Sequence, residues 1–344
     1  MINREQFTAE FFSLYGEPEY KPMFCFAPGR VNLIGEHTDY NGGYVLPCAL
    51  QYGTYLLIRR NETGKFRFSS SNYTEKATLS STEPITKQGN SWFNYPLGVM
   101  KQFSDLGYTI PGLDFYFYGD IPGSAGLSSS ASIEMVTAFA LNEILGSGFK
   151  MLDLVKIAKK AENTFVGVNC GIMDMFAVGM GETNHAIFLN CTTLEYKLIP
   201  VLIPGFTLVV ANTMKVRGLA DSKYNERVEE CKQAVVALSK LFSINSLSEV
   251  AFPKFFKLQD QIEDEVVRRR ARHIISENQR VQNAVNSLLK SDLLTFGSLM
   301  NSSHDSLRDN YEVTGFELDT LVEEATRWFH TRCQTHQSYP VREP

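Results

Sequence analysis

Residues 119–131 constrain the fold of this chain more than any other segment. Gly119-Asp120-Ile121-Pro122-Gly123-Ser124-Ala125-Gly126-Leu127-Ser128-Ser129-Ser130-Ala131 follows a β-rich run, Leu113 to Tyr118, and precedes a helical apolar face formed by Ile133, Val136, Ala140 and Leu141. Small residues let backbone wrap closely around a ligand. The first turn of a helix offers unpaired N–H groups and the positive end of the dipole. Strand, small-residue loop and helix N-terminus together form an anion site, and phosphate is the usual anion. A plain Gly/Ser linker is the alternative, and the apolar periodicity that begins at once argues against it. The segment has no lysine, so an ordinary Gly-x-x-x-x-Gly-Lys-Ser/Thr loop is excluded here. The hydroxyls of Ser128, Ser129 and Ser130 add donors and one candidate magnesium ligand.

A second segment concentrates charge. Between Ala27 and Gly43 the chain places Arg30, Glu36, His37 and Asp39 within ten residues, among glycines and Asn41. That composition marks a loop or tight turn. Carboxylates and an imidazole from one loop suit a polyol, because Asp and Glu accept from hydroxyls and His does either. An exposed charged turn is the alternative; Val31, Leu33 and Ile34 pin the segment and favour a site. A third cluster holds Glu162, Asn163 and the run Asn169-Cys170-Gly171-Ile172-Met173-Asp174. Asp174 lies among apolar residues, where an unpaired carboxylate is costly. Either it caps a helix beginning near Met175, or it serves as a base or charge partner.

The remaining patterning is that of an α+β protein. Helical periodicity is expected over 5–15, 92–103, 132–145, 152–165, 222–242, 254–289 and 291–301. Strands are expected within 23–60, over 65–70 and 113–118, and in the pattern from Gly181 to Val210. Strands and helices mix without regular βαβ alternation, which favours α+β over a doubly wound sheet. A domain boundary is placed near Thr192, giving units 1–191 and 192–325 and a tail 326–344. The net charge of −5 argues against a nucleic-acid binder, which needs a basic surface. No run approaches the ~18 apolar residues of a membrane span. The N-terminus lacks the blocks of a signal peptide. The scattered cysteines form no Cys-x-x-Cys pair, so the cytosol is the expected setting.

Taken together, these motifs resemble the galactokinase–homoserine kinase–mevalonate kinase–phosphomevalonate kinase superfamily. The segment from Arg30 to Gly43, the run Cys170 to Asp174, and Ser222-Lys223-Tyr224-Asn225-Glu226-Arg227 resemble galactokinases in particular. The resemblance implies an N-terminal domain like part of ribosomal protein S5 and a ferredoxin-like C-terminal domain. It implies a monomer that transfers phosphate from ATP to the anomeric hydroxyl of α-D-galactose. By the same resemblance, Glu36, His37, Thr38 and Asp39 hold the sugar and Tyr224 closes on it. The run Ser124, Ala125, Gly126, Leu127, Ser128, Ser129, Ser130 cradles ATP, with Ser70 nearby, and Ser130 and Glu162 hold Mg²⁺. Asp174 is the base, with Arg30 stabilising charge beside it. Two departures stand out. Met175 occupies the place of the family's Gln, and Pro96 is expected to remove a hydrogen bond from its helix. The likeness runs from Phe7 to Ala325. Residues 326–344 contain no glycine and no strand alternation. The expectation from that tail is impaired turnover and solubility, the alternative being a non-catalytic galactose- and ATP-binding sensor.

Overall fold

Two-residue alternation in the first third of the chain produces a sheet that is apolar on both faces. The computed structural model describes residues 2–17, 20–122, 125–214 and 220–334. Helix α1 (Arg4–Tyr15) leads into strand β1 (Met23–Asn32). Strands β2 (Tyr44–Val45), β3 (Pro47–Arg60), β4 (Lys65–Ser70) and β5 (Ala77–Ser80) follow. Helix α2 (Asn94–Asp105), strand β6 (Leu113–Gly119) and helices α3 (Ser129–Leu145), α4 (Met151–Ala161) and α5 (Met173–Met180) come next. Strands β7 (His185–Asn190) and β8 (Tyr196–Pro200) precede helices α6 (Ala220–Ser239), α7 (Phe252–Leu258), α8 (Glu265–Leu289), α9 (Leu293–Ser306) and α10 (Phe316–Gln334).

One sheet has the strand order β1-β3-β6-β4-β5, and a smaller one has the order β2-β7-β8. Only the β4–β6 pairing is parallel; the other pairings are antiparallel. Leu56, Ile58, Phe115 and Phe117 face the main core with Leu97, Met100, Met135 and Leu141 of α2 and α3. Their neighbours Leu57 and Tyr116 point the other way, onto Phe7 and Phe11 of α1. The strand period of two thus puts a helical layer on each face. At the sheet's centre Asp114 is fully buried. It accepts from Arg59 Nε at 2.9 Å, from Arg67 at 2.6 and 2.8 Å, and from Asn61 at 2.7 Å. Arg59 also donates to the carbonyls of Tyr15 and Gly16, which fastens the end of α1 to the sheet.

The mixed α+β class is as the sequence predicts, and several details differ. Pro96 lies in the first turn of α2, where an N–H has no intrahelical acceptor, so no hydrogen bond is lost. The expected helix over 254–289 is two helices, because Asp264 caps α8 by accepting from the N–H groups of Val266 and Val267. The helix expected over 152–165 ends at Ala161, and Glu162–Val166 forms a π-turn closed by Gly167. The strand-like pattern to Val210 stops at Pro200: residues 201–214 form no strand. Beyond residue 200 the described residues supply helices and no strand. Helix α10 crosses the expected boundary at 325, and residues 335–344 lie outside the described ones. Among the described residues no helix is long and apolar enough to cross a membrane.

Candidate active site

The site is organised by a salt bridge between β1 and α5. Arg30 reaches Asp174 Oδ1 through Nε at 2.9 Å and Nη2 at 2.7 Å, and its Nη1 donates to the carbonyl of Gly126 at 2.8 Å. Ser128 Oγ donates to Asp174 Oδ2 at 2.6 Å. The strand delivers Arg30 here because its register slips between Pro28 and Arg30. Gly29 permits the close approach: a Cβ there would lie 2.7 Å from the carbonyl oxygen of Leu127. The Arg30 N–H donates to that same oxygen at 3.1 Å.

Asp174 is not a cap. Helix α5 begins at Met173 after Ile172, and Asp174 occupies its first turn with its carboxylate turned to Arg30 and Ser128. Met175 is fully buried in the main core, beside the site rather than in it. The hydroxyl of Ser128, a residue expected to contact ATP, lies on Asp174. Ser128 precedes α3 in a left-handed conformation and gives no side-chain cap. The first N–H groups of α3 are therefore left for an anion. Ala125, Gly126 and Leu127 lead into Ser128, and Ser124 lies outside the described residues. Ser129 is exposed and Ser130 half-buried at the start of α3. Ser70 is buried at the end of β4, where its hydroxyl accepts from the N–H of Asn72.

Glu162 is buried at the junction of α4 and the π-turn. Burial raises its carboxyl above the ordinary range; hydrogen bonds from Cys170 and Ser130 oppose the rise. A carboxylate and a hydroxyl are hard oxygen donors, and Mg²⁺ with a nucleotide needs only one or two protein carboxylates beside phosphates and water. Among the described residues no group of three or more His, Cys, Asp or Glu is arranged to hold a metal. The donor set thus fits Mg²⁺ carried by phosphates better than a metal caged by protein alone.

The charged loop from 35 to 44 faces the same centre. Burial, and then the charge of Asp174, raises Asp39 to about 6. Its carboxylate lies against Gly171, where an added Cβ would stand 1.6 Å from Oδ2. Glu36 Oε1 accepts from Asn32 at 3.1 Å. Burial first, and Glu277 second, raise its carboxyl above the ordinary range. His37 adopts a positive φ of 65° and meets Tyr40 OH through Nδ1 at 2.9 Å. Burial lowers its imidazole to about 3, so the ring is neutral at pH 7. The Tyr224 ring packs 6.1 Å from His37 and 5.1 Å from Tyr40, which brings α6 to the loop. Thr38 is the exception: it is fully buried and its hydroxyl faces the carbonyls of Gly35 and Tyr44, so it shapes the loop instead of offering a contact.

The residues that hold this loop were not evident from the sequence. Gly35 N donates to Glu277 Oε1 at 3.0 Å, and Tyr44 N donates to Asn278 Oδ1 at 2.7 Å. His273 Nε2 lies 3.1 Å from the carbonyl of Glu36, and Tyr311 OH lies 2.7 Å from Tyr40 OH. Three of these partners sit on α8 at spacings that share its buried face with Ile274 and Val281. Polar side chains on an apolar helical stripe were the available signal.

Residues 9–60 match the galactokinase galactose-binding signature, and residues 94–182 match the N-terminal domain of the GHMP kinases. A galactokinase of Clostridium beijerinckii is 51% identical over 325 residues, covering 94% of this chain and 83% of the relative. A galactokinase of Fusobacterium nucleatum is 48% identical over 320 residues, covering 92% of this chain and 81% of the relative. The structure of Lactococcus lactis galactokinase complexed with galactose superimposes with a TM-score of 0.91 at 40% identity, over 94% of this chain and 84% of that one. A mevalonate kinase of Methanococcus jannaschii, 17% identical with a TM-score of 0.59 over 90% of this chain and 86% of its own, shares the fold. With half its residues identical to a galactokinase across nearly its whole length, this chain belongs to the galactokinase family.

Proposed function

We propose that this site transfers the terminal phosphoryl group of ATP to the anomeric hydroxyl of α-D-galactose. The observation that carries the reading is the position of Asp174, held by Arg30 and Ser128 where the sugar loop meets the N-terminus of α3. Phosphoryl transfer is mainly positioning and charge neutralisation. The N–H groups opening α3 and the backbone of Ala125 to Leu127 receive the phosphates, with Ser129 and Ser130 at their edge. Mg²⁺ would be held by Ser130 and Glu162 and would neutralise phosphate charge. Glu36, His37 and Asp39 pair with sugar hydroxyls, Tyr224 closes over them, and Asp174 accepts the proton of the reacting hydroxyl. Arg30, tied to both Asp174 and the Gly126 carbonyl, keeps that carboxylate in register with the phosphate loop. The reading goes with a monomeric cytosolic enzyme, in keeping with the free cysteines 25, 48, 170, 191 and 231.

Substrate choice tests it. A sugar that leaves one loop carboxylate unpaired forfeits about 1–3 kcal/mol. Galactose is therefore expected to exceed glucose in kcat/KM by tenfold or more, measured by coupled ADP release; equal rates with the two sugars would refute the assignment. Gly171 gives a second handle. Gly171→Ala pushes Asp39 aside, because its methyl group cannot share the space of Oδ2. The expected result is galactose affinity at least tenfold weaker by calorimetry, with ADP affinity unchanged. Unaltered galactose affinity would remove Asp39 from the sugar site.

A further inference from the structure

Glu134 has no role in the site as described so far, yet its surroundings demand one. It lies in α3 between Ile133 and Met135 and is wholly shielded from solvent. Neither of its carboxylate oxygens has a hydrogen-bond partner. Helix α3 packs against α4, at whose end Glu162 lies. Glu134 also follows Ser130 by one helical turn, so the two project from the same side of α3. A position that only filled the core would be served at no electrostatic cost by leucine or methionine. A buried carboxylate with no partner is retained against a large desolvation penalty.

We propose that Glu134 is a further anchoring carboxylate of the divalent-cation site, acting from behind Ser130 and Glu162. This rests on the reading of Ser130 and Glu162 as the cation-holding pair. A divalent cation arriving with its nucleotide would supply the positive charge that Glu134 lacks, directly or through a bound water, since Mg²⁺ retains several waters. Glu134 would then act as a positioning residue, raising the affinity of the site for the cation and fixing where it rests.

The test is Mn²⁺ binding in the presence of ADP, followed by electron paramagnetic resonance, on the parent, Glu134→Gln, Glu134→Leu and Glu162→Gln. Melting temperatures of the metal-free proteins are recorded in parallel. Glu134→Gln is expected to weaken Mn²⁺·ADP binding at least tenfold. The metal-free variant should melt at or above the parent temperature, because a buried unpaired acid has been removed. Glu134→Leu should behave alike if the amide variant folds poorly. A higher melting temperature with Mn²⁺ affinity within twofold of the parent would overturn the proposal and leave Glu134 a core residue. If Glu162→Gln also bound Mn²⁺ like the parent, the underlying cation site would be wrong.

Discussion

Asp174→Asn is expected to lower galactose-dependent ADP release by about a thousandfold, within the range that general acid–base groups contribute. Asparagine keeps the size of the side chain but removes the charge facing Arg30 and the acceptor for the reacting proton. The fold should persist, because Asp174 and Arg30 are only partly buried. Circular dichroism and ADP binding on the variant separate loss of chemistry from loss of structure. Arg30 would keep its bond to the Gly126 carbonyl, so the phosphate loop should remain formed. Retention of more than a tenth of the parent rate would show that the carboxylate is not central to the reaction.

Asp114→Ala should cost the fold about 3–5 kcal/mol, the usual result of removing one partner of a buried ion group. Arg59 would be left nearly fully buried and without an anion, and Arg67 and Asn61 would lose their common acceptor. The effect should reach α1, because Arg59 also holds the carbonyls of Tyr15 and Gly16. Urea unfolding measures it. A loss under 1 kcal/mol would mean that water enters and solvates the arginines, so that the cluster is not dry. Total stability of a domain is of the order of 5–15 kcal/mol, so the full loss would be visible as reduced soluble yield.

The chemistry-bearing segments were legible because each is local. The run 119–131 contains its own strand end, turn and helix start, and Arg30 to Asp39 share one loop. What the sequence did not disclose depends on contacts across the chain. Ser128 reads as one of three equivalent hydroxyls until α5 brings Asp174 against it. Thr38 reads as a ligand like its neighbours until β2 and the Gly35 carbonyl enclose it. Pro96 reads as a helix breaker unless the helix start is known to within a residue, and boundaries are the weakest part of such a reading. Glu134 appears as a stray acid in an apolar helix, and only its enclosure on every side makes it a question. Glu277, Asn278 and His273 are helical residues more than two hundred positions from the loop they hold, and no pattern along the chain links them to it.

That separation has a consequence for how the protein comes into being. The sugar loop takes its backbone bonds from α8, whose partners emerge 234 to 242 residues later in synthesis. Closing so long a loop is entropically slow, and the local strands and helices of the first half form sooner. A nascent chain therefore carries the loop's acidic side chains before α8 fixes its course. The sugar-recognition geometry is completed late, when α8 docks, and is set by a helix far along the chain as well as by the residues that touch the sugar.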